Sequence, residues 1–369
     1  MKIAKIIAFA AVALLLAGCM QRTKIEEKPD QSTGRMTLEY AEQFSVNYYG
    51  EAALVSVGEE PCCWLAPEGT EAPDSPGVPV LHPPLDHLYL ASSAAMDPFC
   101  KLGALEHVRF TGTTAGDWSL EEVVSAMEAK KLLYAGKYRA PDYELLLSEG
   151  CSLAVENTMI LHSPAVREQL EALGIPVIVE RSSYESHPLG RLEWIKLYGL
   201  LVGKATEAEA YFEQQTASLR GILSAPPTEK SLAFFYVSPN GYINVRRPGD
   251  YLTRMVELAG GVYVPDGLSE KDGGERSVMS LQPEAFYAGA RDADILVYNG
   301  NIYDVASLAQ LLEMCELLSD FKAVREGNVW MTEQNLFQET SAIGGMIADF
   351  HTILNGTTEN RLTYLRRLT

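Results

Sequence analysis

The stretch Ser186-His187-Pro188-Leu189-Gly190-Arg191-Leu192-Glu193-Trp194-Ile195-Lys196-Leu197-Tyr198-Gly199-Leu200-Leu201 lies near the middle of the chain and governs how the rest is read. Trp194, Leu197, Tyr198 and Leu201 recur at helical spacing. Pro188 suits a first turn, and Gly203 can end the helix. Thr206-Glu207-Ala208-Glu209 then reads as a capping box that opens a second helix. A helix over 188–202 is about 22 Å long at about 1.5 Å per residue, enough to bridge two lobes as a stiff strut. Periodicity alone fits a surface helix equally well, so the flanking sequence has to decide.

Both flanks are written in the same grammar. Before the helix, short runs rich in Val, Leu and Tyr at 53–57, 88–91, 108–111, 132–135, 153–155 and 177–179 are bounded by Gly, Pro or Asp and predict strands. Helical patterns separate them. One opens at Ser119 with a serine cap and runs to about 129, one opens at Pro141-Asp142, and one opens at Ser163-Pro164 and closes at Gly174. After the helix, strands are expected at 232–237, 242–245, 295–298 and 329–331, with helices over about 250–259, 281–290, 304–316 and 341–354. Strands alternating with helices call for parallel α/β layers. The expected organisation is an α/β lobe over 36–187, a connecting helical segment over 188–228 and a second α/β lobe over 229–369.

The amino terminus is a separate matter. Lys2 and Lys5 precede an unbroken apolar run over 6–18 that is too short to span a bilayer, which needs about 20 residues. The run ends in Leu16-Ala17-Gly18-Cys19, the spelling of a lipoprotein cleavage site, so residues 1–18 are expected to be a signal peptide and Cys19 the lipidated residue. Residues 19–35 are polar, lack aromatics and predict a flexible tether. The chain carries a formal charge of −19, and removing Lys2 and Lys5 with the leader takes it to −21. So acidic a chain is a poor partner for nucleic acid. Of six cysteines, five remain once Cys19 is lipidated, so they cannot all pair; adjacent Cys62 and Cys63 read as loop thiols, and no zinc spacing occurs. The six histidines are scattered, and the sequence calls for no resident metal or cofactor.

In its order of motifs the chain resembles the substrate-binding proteins of the iron-siderophore, haem and cobalamin ABC importers. Residues 134–144, Tyr134-Ala135-Gly136-Lys137-Tyr138-Arg139-Ala140-Pro141-Asp142-Tyr143-Glu144, resemble that family's loop-then-helix before its PDLVI-type strand, here Cys151-Ser152-Leu153-Ala154-Val155. Leu173-Gly174-Ile175-Pro176-Val177 resembles its LG-I-PV step, and 186–204 its connecting helix with a Gly-Lys end. Residues 292–297 and 323–330 resemble the closing strands of its second lobe. The resemblance covers most of 36–369, with an extended start over 36–85 and a longer link over 288–294 as departures. It implies two Rossmann-like α/β lobes joined by a rigid connecting helix. It further implies a monomer on the outer face of the cytoplasmic membrane that delivers a metal chelate to an ABC permease and ATPase complex. Glu168 and Glu284 are the positions it offers for docking to the permease.

Loops at strand ends supply the candidate ligand contacts. In the first lobe these are Tyr134, Lys137, Tyr138, Asn157 and Thr158; in the second they are Asn240, Tyr242, Arg246, Arg247, Phe337 and Gln338. Arg246 and Arg247 offer planar forks for carboxylate or phenolate oxygens, or else form a solvated pair balancing nearby acids. Ferric siderophore, haem, cobalamin and oxyanion all suit such a cleft. No nucleophile elbow, phosphate loop or zinc-helix motif occurs. A chelatase-like enzyme on the same architecture, or a ligand-binding surface lipoprotein without a transporter, are the competing readings.

Overall fold

The computed structural model describes residues 32–266, 278–356 and 362–369. The signal peptide, Cys19 and nearly all of the tether lie outside the described residues. No helix among them is long and apolar enough to cross a membrane.

The first lobe is built on five parallel strands. Leu88–Leu90 is central, flanked on one side by Val108–Thr111 and Leu133–Tyr134, and on the other by Ala154–Asn157 and Val177–Glu180. The second lobe has a mixed sheet. Ser231–Val237, Ile295–Tyr298 and Val329–Thr332 run parallel; Ile243–Arg246 pairs antiparallel with Ser231–Val237, Val278–Leu281 pairs antiparallel with Ile243–Arg246, and Leu365–Arg367 pairs antiparallel with Val329–Thr332. Helices cover both faces, so the parallel strands are buried on both sides and spell unbroken apolar runs such as Ile-Leu-Val-Tyr.

The extended start is a unit of its own. Phe44–Tyr49, Ala52–Val57 and Glu60–Leu65 form an antiparallel meander, edged by Gly34–Arg35 and Val80–Leu81. Only its middle strand was expected from the sequence.

The central helix, Pro188–Leu201, is the strut and not a surface helix: 13 of its 14 residues are buried. Apart from Arg191, Glu193 and Lys196 the helix is apolar or aromatic on every face, as suits a helix inside a core. One continuous core runs from Leu90 and Val155 of the first sheet, through Trp194 and Leu197, to Phe234 and Val297 of the second. His187 caps the helix, its Nδ1 accepting from Leu189 N–H. The next helix, Ala205–Leu223, starts one residue before the expected capping box. Lys204 is its N-cap and Thr206 falls inside the first turn, because Lys204 N–H already bonds back to the Gly199 carbonyl. The two helices cross so closely that a Cβ on Gly199 would lie 2.5 Å from that of Ala208.

The strut also holds the incoming chain. Glu193, fully buried, accepts backbone N–H groups from Glu39, Tyr40 and Ala41 and pairs with Lys196 at 3.0 Å. Glu185 accepts from Glu42 N–H, Gln43 N–H and the Trp194 indole. Residues 39–43 thus form a strap across the helix. It passes so near that a Cβ on Gly190 would lie 2.9 Å from the Tyr40 carbonyl oxygen.

Candidate functional site

Three contacts show that the carboxyl ends of the two sheets face each other. The loop after Val329–Thr332 crosses to the first lobe. There Gln338 accepts from Ser119 N–H and Oγ–H, both at 2.7 Å, and donates to the Asp117 carbonyl at 2.8 Å. Thr340 donates to the Ala94 carbonyl, and Ser341 N–H donates to Asp97. Ala94 and Asp97 follow the end of Leu88–Leu90; Asp117 and Ser119 follow the end of Val108–Thr111. Gln338, expected as a ligand contact, is a latch between lobes. Ser119, expected as a helix cap, serves that latch, and the helix Glu121–Glu128 has Leu120 at its N-cap with no side-chain bond.

A charged corner lies between the second sheet and the strut. Along Ile243–Arg246, Ile243 and Val245 enter the outer core, so Asn244 and Arg246 point toward the strut. Arg246 pairs with Asp250 at 3.6 Å and lies over the Phe337 ring at 5.3 Å. From the strut, Arg191 stacks on Tyr251 at 4.2 Å. Burial raises the Asp250 carboxyl pKa, and the charges of Arg246 and Arg191 pull it back down. On the first-lobe side, Glu180 accepts from Ser92 Oγ–H and Ser182 N–H. Burial drives the Tyr198 hydroxyl pKa far up, with Glu180 and Arg191 acting on it in opposite directions.

The other candidates are distributed as follows. Asn240 and Tyr242 belong to the hairpin at the far end of strand Ile243–Arg246, so they are separated from Arg246 by about 13 Å of strand. Asn240 accepts from Ser238 Oγ–H, and the Tyr242 carbonyl accepts from Ser238 N–H. Arg247 is half-buried, and its carbonyl accepts from Asp250 N–H. Asn157 caps the turn Thr158–His162 and donates to the Ala91 carbonyl, so its side chain is structurally engaged; Thr158 is half-buried. Tyr134 and Lys137 are exposed, whereas Tyr138 packs against the outer core of the first lobe. Glu168 and Glu284 are exposed on the helices Pro164–Ala172 and Pro283–Ala290.

Sequence reasoning missed Arg191, Asp250 and Tyr251. The signal available for Arg191, a charge on the strut, is shared by Glu193 and Lys196 and does not single it out. Tyr134, a candidate from the sequence, is exposed at the end of its strand, and exposed Met159, Leu161, Tyr184, Ile302 and Tyr303 follow carboxyl ends of other parallel strands; of this apolar rim, Leu161, Ile302 and Tyr303 were not singled out from the sequence. Among the described residues, no group of three or more His, Cys, Asp or Glu is placed to hold a metal ion.

This architecture has close counterparts among solved structures. The periplasmic haem-binding protein HutB of Vibrio cholerae superposes with a TM-score of 0.58 at 16% identity, covering 71% of this chain and 98% of that one. The petrobactin-binding protein YclQ of Bacillus subtilis gives 0.57 at 14% identity, covering 75% and 94%. A periplasmic binding protein of Veillonella parvula gives 0.59 at 16% identity, covering 74% and 92%. The fold is that of the two-lobed periplasmic binding proteins. At such identities the likeness establishes the binding-protein fold and nothing finer. No family model matches the chain. A curated relative, an uncharacterized lipoprotein of Methanocaldococcus jannaschii, is 22% identical over 228 residues, 60% of this chain and 52% of the relative. The match therefore spans about half the length of that relative.

Proposed function

We propose that this chain is an extracytoplasmic solute-binding lipoprotein. It captures an iron-siderophore, haem or cobalamin-type chelate between its lobes and delivers it to an ABC importer. The observation that carries this reading is the facing of the two sheets' carboxyl ends across a buried strut, with a charged corner beside it. Open α/β sheets hold ligands at that end. The apolar rim favours a chelate with a large hydrophobic face over a small oxyanion. Cys19 would carry the lipid, and the strap over 39–43 would join the tether to the strut. Glu168 and Glu284, exposed on separate lobes, are the positions proposed to meet the permease.

The test is a thermal-shift panel of ferric siderophores, haemin, cobalamins and molybdate on the full-length protein in detergent. A ligand at about 100 times its dissociation constant adds about 2.7 kcal/mol of stability. The expected result is a shift with one chelate class that Arg246→Gln reduces. No shift with any chelate, or a shift with molybdate alone, would sink the chelate reading.

A further inference from the structure

We propose that Arg191 is the anion anchor of the cleft: a carboxylate of the bound solute docks on its guanidinium, beside Arg246 and against Tyr251. This rests on the solute-binding reading above and adds the chemical group the solute must carry.

The argument begins with a contrast inside one helix. Glu193 and Lys196 are buried in the strut and saturated: Glu193 by three backbone N–H groups and Lys196, Lys196 by Glu193, Glu209 and the Thr37 carbonyl. Arg191 is also buried, at 9% exposure, yet its Nε is enclosed without a hydrogen-bond partner, and its guanidinium makes no ion pair among the described residues. Its one close partner is the face of Tyr251. A buried charge without a partner is strongly disfavoured. A guanidinium has five N–H donors in a planar fork, a shape that matches the two oxygens of a carboxylate.

The nearby acids are already taken. Asp250 feels Arg191 but is ion-paired with Arg246, so two arginines share one carboxylate. Glu180 is bonded to Ser92 and Ser182, and Glu185 to the strap and Trp194. A two-oxygen anion at this corner would supply the acceptors that no described residue offers to the Arg191 fork.

The experiment compares wild type, Arg191→Met and Arg191→Lys as full-length protein in detergent. Each is melted with and without citrate at matched ionic strength, then titrated with ferric citrate, haemin and cyanocobalamin. Arg191→Met without solute is expected to melt at or above the wild-type temperature, because it removes an unpaired buried charge. The same variant is expected to lose the citrate-dependent shift and to bind the carboxylate-bearing chelates at least tenfold more weakly. Arg191→Lys, which keeps the charge but not the fork, should fall between. If wild type binds no chelate but its citrate shift depends on Arg191, the anchor stands and the chelate reading fails. If a chelate binds wild type and Arg191→Met equally, the anchor is overturned and the chelate reading stands. Equal responses to every probe, including none at all, likewise overturn the anchor.

Discussion

Glu156 is the most exacting energetic test of the first lobe. It lies on strand Ala154–Asn157, flanked in register by Val179, and is fully buried. Neither carboxyl oxygen has a hydrogen-bond partner. Burial pushes its pKa from an ordinary 4.5 up to about 8. The folded chain therefore holds a proton that the unfolded chain releases near pH 4.5. Stability must fall as pH rises between these values, at about 1.4 kcal/mol per pH unit. The loss accumulates to about 3 kcal/mol by pH 7 and levels off above pH 8. Glu156→Gln is close in shape to the protonated acid but cannot ionise. Urea unfolding of both proteins should agree within about 1 kcal/mol at pH 5 and differ by several kcal/mol at pH 8, with the variant the more stable. If wild type and variant lose stability in parallel over that range, Glu156 is not the buried acid responsible and the reasoning fails.

Two further outcomes follow from the way the lobes are tied. Glu193→Ala strands three backbone N–H groups of the strap and half of a buried ion pair. It should destabilise the protein by about 3–5 kcal/mol in urea unfolding, and a loss under about 1 kcal/mol would contradict the strap. Gln338→Ala removes three hydrogen bonds between the lobes. It should speed amide exchange over 117–120 and weaken stability by about 1–3 kcal/mol, and unchanged exchange there would rule out the latch.

The parallel strands were the most legible part of the chain. The runs at 108–111 and 295–298 are the strands Val108–Thr111 and Ile295–Tyr298, because a strand buried on both faces spells itself as continuous apolar sequence. The meander over 44–65 was less readable. Its strand Glu60–Leu65 carries an acid, a proline and two cysteines, and it is held by pairing with Ala52–Val57 more than by its own propensity. The helix Met96–Lys101 was hidden for a similar reason, with a proline in its first turn and only six residues to show a period. Gln338 was expected in the loop past the strand at 329–331, but its partners lie 219 and 221 positions away, and only the fold reveals that they occupy it.

The same limit explains why Arg246 could be suspected from sequence and Arg191 could not. Arg246 stands beside a turn, where an arginine invites a functional reading. Arg191, Glu193 and Lys196 stand within six residues of one another on one helix and look alike as spelling. What separates them is where their partners come from. Glu193 is satisfied by a strap more than 150 residues earlier in the chain, and Lys196 by Glu209 on the following helix. Among the described residues, no segment arrives to hydrogen-bond Arg191 Nε. A saturated charge on a strut stiffens the joint between lobes, whereas an unsaturated one keeps an unmet demand at the point where a solute would enter. A binding protein with a rigid strut gains little from hinge closure. Its affinity would then depend on such pre-positioned, unspent donors, and Arg191 is the clearest of them in the described structure.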